Sequence, residues 1–148
     1  MIPHANPDPL GQAIWDYYHT GTAEQVWVFS NITDPESMAP AHFFRGWEAM
    51  PLLERKALHL SRGRILDIGA GAGVHAGWLA NQGHPVVALE PSPGASAVLV
   101  ENKCYQPVEG GWEDYQPAHA FDTILLLMNG LGLAGNFQGL YTLMKTLK

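Results

Sequence analysis

The chain has 148 residues, 47% of them apolar and 15% charged, and its 14 acids against 8 Lys and Arg leave a formal net charge of −6. That balance describes one globular domain with a real core, excludes global disorder, and makes nucleic acid a poor partner, because a duplex needs a stripe of Lys and Arg against its phosphates. The single cysteine, Cys104, excludes an internal disulfide and a Cys-based zinc cluster and fits a reducing compartment, so the cytoplasm is the expected location.

The Pro-rich start MIPHANPDP has no basic segment followed by an apolar one, and no apolar run approaches the roughly 20 residues of a spanning helix, so neither export nor a membrane partner is expected. Residues 1–44 carry five acids and no Lys or Arg. The apolar spacing of Leu10, Ile14, Tyr17 and Tyr18 predicts a helix over 10–20 that Gly21 ends. Gln25 to Phe29 reads as a short strand, SNITDPESMAP as a turn-rich stretch, and Pro51 to Leu60 as a helix with Pro51 at its first position and an apolar stripe of Leu53, Ala57 and Leu60. Eight of the fifteen aromatics lie in the first 47 residues. They read as a small satellite core tying the appendage to the sheet or, alternatively, as a lid or acceptor pocket. Residues 1–62 are thus an N-terminal helical and aromatic appendage.

From Arg64 short apolar strands alternate with helices, the pattern of βαβ units on a parallel sheet. RILDI is the first strand, a glycine turn opens a helix to about Asn81, and HPVVALE (84–90) is the second strand. Ser92 reads as the N-cap of the next helix, Tyr105 to Val108 as a weaker third strand, and Asp122 to Met128 as the fourth and most apolar. A last helix starts near Asn136. Right-handed crossovers give these four strands the spatial order 3-2-1-4, the first half of an α/β Rossmann-like doubly wound sheet.

The turn after the first strand is Asp67-Ile-Gly69-Ala-Gly71-Ala-Gly73. A dinucleotide fingerprint needs a glycine where Val74 stands, whereas the spacing G-x-G-x-G fits, with an acid two residues ahead of it. Glu90, ending the second strand, stands where a carboxylate accepts hydrogen bonds from ribose hydroxyls. No pair among the seven histidines has the spacing of H-E-x-x-H, and there is no G-x-S-x-G elbow, so neither a metal site nor hydrolase chemistry is expected.

The segments LDIGAGAGVHA, VVALEPSPGA and FDTILLLMNGLGLAG resemble the class I S-adenosylmethionine-dependent methyltransferases, over residues 60–147. The resemblance implies that residues 63–148 form a core binding S-adenosyl-L-methionine. Asp67 would help hold the methionine amino group. Gly69, Ala70, Gly71 and Gly73 would line the cofactor, and Glu90, followed by Pro91, would bind the ribose. Met128 and Asn129 would border the methyl-transfer site. The family's acid beside the adenine falls near Trp112, so Glu113 or Asp114 would serve, while Trp112 itself would stack on adenine or hold the loop. His75, just past the glycine turn, reads as a first-turn helix residue or one facing the ligand. Arg45 reads as a surface arginine or one reaching the cofactor carboxylate or an acidic acceptor. The family's sheet has seven strands, and the resemblance stops before strand five, which makes the core a truncated one and leaves the fourth strand an apolar edge suited to homo-oligomer contacts. The implied function is methyl transfer to a small-molecule acceptor. The alternatives are an NAD(P)-binding oxidoreductase domain and a non-catalytic cofactor-binding or assembly fragment.

Overall fold

A computed structural model describes residues 7–147; the start up to Asn6 and the terminal Lys148 lie outside them. Helix α1 spans Pro9–Thr20, capped by Asp8, whose carboxylate accepts from Gly11 N–H at 2.9 Å, and ended by Gly21 in the left-handed region at φ 73°. Strand β1, Val26–Val28, pairs antiparallel with β2, Glu36–Met38. The stretch read as turns therefore contains a strand. Glu36 and Ser37 have little strand preference of their own, and the ladder to Val28 and Trp27 supplies what local composition does not.

Two 3-10 turns, Pro40–Phe44 and Trp47–Ala49, lead into α2, Leu52–Leu60, for which Pro51 is the N-cap rather than the first helical residue. The expected stripe of Leu53, Ala57 and Leu60 does not face the core: Leu53 and Leu60 are more than 70% exposed. Glu54 and Leu58, one turn apart, face inward instead, because Glu54 is held there by two cationic partners.

The main sheet follows. Strand β3 is Ile65–Ile68, β4 Val86–Glu90, β5 Gln106–Glu109 and β6 Thr123–Leu125, all parallel, in the order β5-β4-β3-β6. The four strands have the neighbours their sequence order 3-2-1-4 anticipates; their numbers are shifted by the hairpin strands β1 and β2 that precede them. Strand β6 is shorter than the apolar run 122–128. It pairs with β3 alone among the described residues, so Thr123 and Ile124 are only half-buried.

Side chains alternate across β3 and β4. Ile65, Val86 and Ala88 pack with Ala76 and Leu79 of α3 (Val74–Asn81), with Leu58 of α2 and with Leu99 of α4 (Pro93–Glu101). Leu66, Ile68, Val87 and Leu89 pack on the opposite face with Trp112 and with Leu143 of α5 (Phe137–Thr146). Both faces of the central strands are thus covered, which is why they read as nearly continuous apolar runs. A third cluster joins α1 to α4 through Ile14, Ala95 and Val98, flanked by Trp15, Phe43 and Phe44. This is the satellite core, although Trp27 and Phe29 stay outside it, mostly exposed. No helix among the described residues is long and apolar enough to cross a membrane.

Candidate functional site

The carboxyl ends of β3, β4 and β6 open on one cavity of about 240 Å³. Its floor is Gly69 to Ala72, one wall is Glu90, the other is Leu127 to Gly130, and Leu10, Phe43 and Leu133 cover it. Ligands of doubly wound sheets bind at this end of the strands.

The loop is built by glycine. Gly69 and Gly73 have φ of 74° and 82°, which L side chains rarely adopt, and a Cβ would meet Leu133 Cδ1 at 2.8 Å and the Tyr105 hydroxyl at 2.2 Å. Backbone N–H groups of Gly69 and Ala70 donate to the Leu89 carbonyl at 2.8 and 3.2 Å, tying the loop to the end of β4. Glu90 completes that tie. One carboxylate oxygen accepts from Gly71 N–H at 2.7 Å, the other from Ser92 N–H at 2.8 Å. Burial pushes the Glu90 carboxyl up, only partly offset by the two N–H donors, and the Asp8 charge adds to the rise. A carboxylate oxygen has two lone pairs, so each retains capacity for a ligand hydroxyl.

Asp67 is 1% exposed, and its Oδ2 has no partner among the described residues. Burial raises its carboxyl to about 6, with the Glu90 charge adding to the rise and His75 and the Ala76 N–H opposing it. A buried acceptor without a donor suits a cationic group such as an ammonium.

Beside the loop, with His75 in the cavity lining, lies a largely buried ionic cluster. His75 Nε2 is 2.8 Å from Glu54 Oε2, and the same oxygen accepts from the Arg45 guanidinium, which also donates to the His42 carbonyl at 2.7 Å. Burial would raise the Glu54 carboxyl, but the hydrogen bonds from His75 and Arg45 outweigh it and hold it below the usual range. The Arg45 side chain is therefore largely covered rather than on the open surface. Its guanidinium pairs with Glu54 of its own chain, a partner the sequence does not point to. No spacing rule links residues 45, 54 and 75, so the cluster is invisible in the sequence. Its one signal is the absence of any Lys or Arg before Arg45.

Of the residues anticipated for the site, Gly69, Ala70, Gly71, Glu90, Met128 and Asn129 line the cavity. Asp67 and Gly73 lie buried outside the lining, and Pro91 and Glu113 are exposed and not part of it. The Glu113 carboxylate folds toward Gly111, where a Cβ would meet it at 2.6 Å. Trp112 does not face the cavity. It packs among Leu66, Leu89 and Leu143, and its indole N–H donates to the Leu133 carbonyl at 3.3 Å, so it holds the loop. Met128 and Asn129 adopt left-handed φ of 50° and 63°, a strained pair placed at the cavity wall. Leu10, Phe43, His75 and Leu133 also line it, and they come from four segments that only the tertiary fold brings together. No group of three His, Cys, Asp or Glu suited to a metal occurs among the described residues.

No protein-family model and no curated protein matches the chain. Solved structures do. A methyltransferase dependent on S-adenosylmethionine from Bacteroides fragilis, solved with S-adenosyl-L-homocysteine, is 41% identical, with a TM-score of 0.81 over 95% of this chain and 60% of that one. A sugar N-methyltransferase from Streptoalloteichus is 18% identical, with a TM-score of 0.58 over 82% of this chain and 53% of that one. An amino pentose methyltransferase from Micromonospora echinaspora, bound to S-adenosylmethionine, is 20% identical, with a TM-score of 0.52 over 64% of this chain and 40% of that one. The chain thus spans 60% of the length of its Bacteroides relative, and the latter two likenesses speak to the fold.

Proposed function

We propose that this chain, which carries the fold of the class I S-adenosylmethionine-dependent methyltransferases, binds S-adenosyl-L-methionine in the cavity at the ends of β3, β4 and β6 and serves methyl transfer to a small-molecule acceptor. The observation that carries the reading is the pairing of Glu90 with the glycine loop: a buried carboxylate at the end of β4, 2.7 Å from Gly71 N–H, facing the same cavity as Gly69 and Ala70. The likeness to the Bacteroides methyltransferase, solved with the demethylated cofactor, supports it.

The residues present fit that cofactor. Glu90 offers lone pairs for ribose hydroxyls, Gly71 presents no side chain to a ligand, and the charge of Asp67, buried at the end of β3 outside the lining, would favour an ammonium nearby. Met128 and Asn129 would border the reacting end, and Phe43 and Leu10 would exclude water from it. Glu113 has no part in this account. When bound, the cofactor supplies an electrophilic methyl on a sulfonium sulfur; the acceptor's lone pair forms the new bond to carbon, and the carbon–sulfur pair stays on sulfur. The protein's share is alignment, worth up to about 7–11 kcal/mol when two reactants are held in place.

In this reading residues 63–148 hold the cofactor and residues 1–62 close over it. The acidic chain and the small-molecule and sugar methyltransferases among its structural neighbours favour a small acceptor over nucleic acid. The edge of β6 is where a second copy or a further strand would pair, and a cytoplasmic setting suits the one free thiol of Cys104.

Titration calorimetry with S-adenosylhomocysteine and with NAD on one preparation tests the proposal. Micromolar binding of S-adenosylhomocysteine alone is expected. Binding of NAD alone would overturn it in favour of an oxidoreductase domain, and binding of neither would leave an assembly fragment.

A further inference from the structure

His75 is 4% exposed, yet it lines the cavity, and it is the only imidazole to do so among the described residues. Its Nε2 is committed to Glu54 at 2.8 Å, and Glu54 is itself fixed by Arg45. Nδ1 is different. Among the described residues it has no hydrogen-bond partner, and it is not sealed from solvent. A carboxylate on Nε2 places the ring's proton there and leaves a lone pair on Nδ1, the arrangement that makes an imidazole a base.

Resting on the methyltransferase reading, we propose that His75 is the proton acceptor of the site, held by Glu54 as the Nε2–H tautomer with Nδ1 open to the cavity. An acceptor amine or hydroxyl must shed one proton when its nitrogen or oxygen is methylated. That N–H or O–H bond breaks, its electron pair stays on the acceptor, and the proton passes to Nδ1; the imidazolium so formed faces the Glu54 carboxylate. The other groups that could take the proton are placed for other work. Both Glu90 oxygens accept backbone N–H bonds, and Asp67 is outside the cavity lining. The charged groups nearest His75 are Glu54 of α2, which it contacts, Arg45 on the same carboxylate oxygen, and Asp67 on β3. Acceptors that react through an amine or hydroxyl are therefore the class this site serves.

The test is long-range ¹H–¹⁵N correlation spectroscopy of the labelled full chain, with His75→Asn to assign the ring and calorimetry of S-adenosylhomocysteine on both proteins. Expected are a protonated Nε2, a bare Nδ1 whose resonance moves when S-adenosylhomocysteine is added, and an affinity of His75→Asn within threefold of the parent. A proton resident on Nδ1, an Nδ1 resonance indifferent to the ligand, or a tenfold loss of affinity in a folded His75→Asn would overturn the assignment, the last by making His75 part of the cofactor's own binding. Failure of the unmodified chain to bind S-adenosylhomocysteine would instead remove the cofactor reading and this inference with it. Should His75→Asn not fold, His75→Gln assigns the ring and carries the affinity measurement in its place.

Discussion

Ser92 Oγ donates to the carboxylate of Asp8, 3.0 Å from one oxygen and 2.9 Å from the other, across 84 residues of sequence. The same carboxylate accepts from Gly11 N–H and Gly94 N–H, both at 2.9 Å, so one acid serves the first turns of α1 and α4 together. Helix N-termini leave N–H groups unpaired and carry positive potential, and Asp8 answers both at once. Burial would raise its carboxyl, but the bonds from Gly94, Ser92 and Gly11 outweigh it and hold it below the usual range. Its contribution is thus present above the unfolded value near 4 and is lost as pH falls through the lower folded one. Asp8→Ala is expected to cost about 1–3 kcal/mol of unfolding free energy at pH 7, a cap and a second set of charged hydrogen bonds together. Urea melts at pH 7 and pH 3 check this, and the gap between parent and variant should narrow at the lower pH.

Gly94→Ala should be destabilising although alanine is the better helix former. A Cβ at position 94 would meet the carbonyl carbon and oxygen of Gly11 at 2.4 and 2.6 Å, backbone atoms that cannot swing aside. The gain of about 1 kcal/mol in helix propensity is set against overpacking of about 1–3 kcal/mol or more. A lower thermal midpoint with unchanged helix content is expected, and a raised midpoint would mean that α1 does not seat on α4 as described.

Asp67→Asn should raise stability at neutral pH while weakening cofactor binding. Burial lifts the Asp67 carboxyl from 3.8 to about 6, so the folded state favours the proton. That stabilisation is complete below about 4 and disappears as pH rises through about 6, leaving a buried charge. Removing the charge is worth about 1–3 kcal/mol at pH 7. The check is a pair of melts at pH 5 and pH 8: the advantage of the variant should grow with pH, and S-adenosylhomocysteine affinity should drop.

Glu90→Ala removes the acceptor for Gly71 N–H and Ser92 N–H as well as the groups offered to a ribose. A loss of S-adenosylhomocysteine affinity of about 10- to 100-fold is expected, matching one charged hydrogen bond of about 1.5–3 kcal/mol. Calorimetric affinity equal to the parent's would remove Glu90 from the site.

Met128→Gly relieves one of two consecutive left-handed residues. A gain of about 1 kcal/mol is expected from strain of that kind, read as a higher urea midpoint at unchanged slope. No gain would mean that the neighbouring wall of the cavity repacks to take up the change.

The sequence by itself determined the four parallel strands, the glycine turn, the Ser92 cap and the place of Glu90, because each depends on spacing within a few residues: a continuous apolar run in Val86 to Leu89, glycines two apart in 69–73, a hydroxyl three residues before the N–H it accepts. Only the tertiary structure decided which polar groups meet. The inward turn of Glu54, and with it the exposure of Leu53 and Leu60, follows from Arg45 and His75, nine and twenty-one residues away. Strand β2 exists because β1 offers it a ladder. Trp112 sits in the core rather than at the cavity because its indole N–H finds the Leu133 carbonyl beside Leu66 and Leu89. Buried polar groups take whichever partner lies within about 3 Å, and that partner is set by how helices dock on the sheet, a relation with no period along the chain.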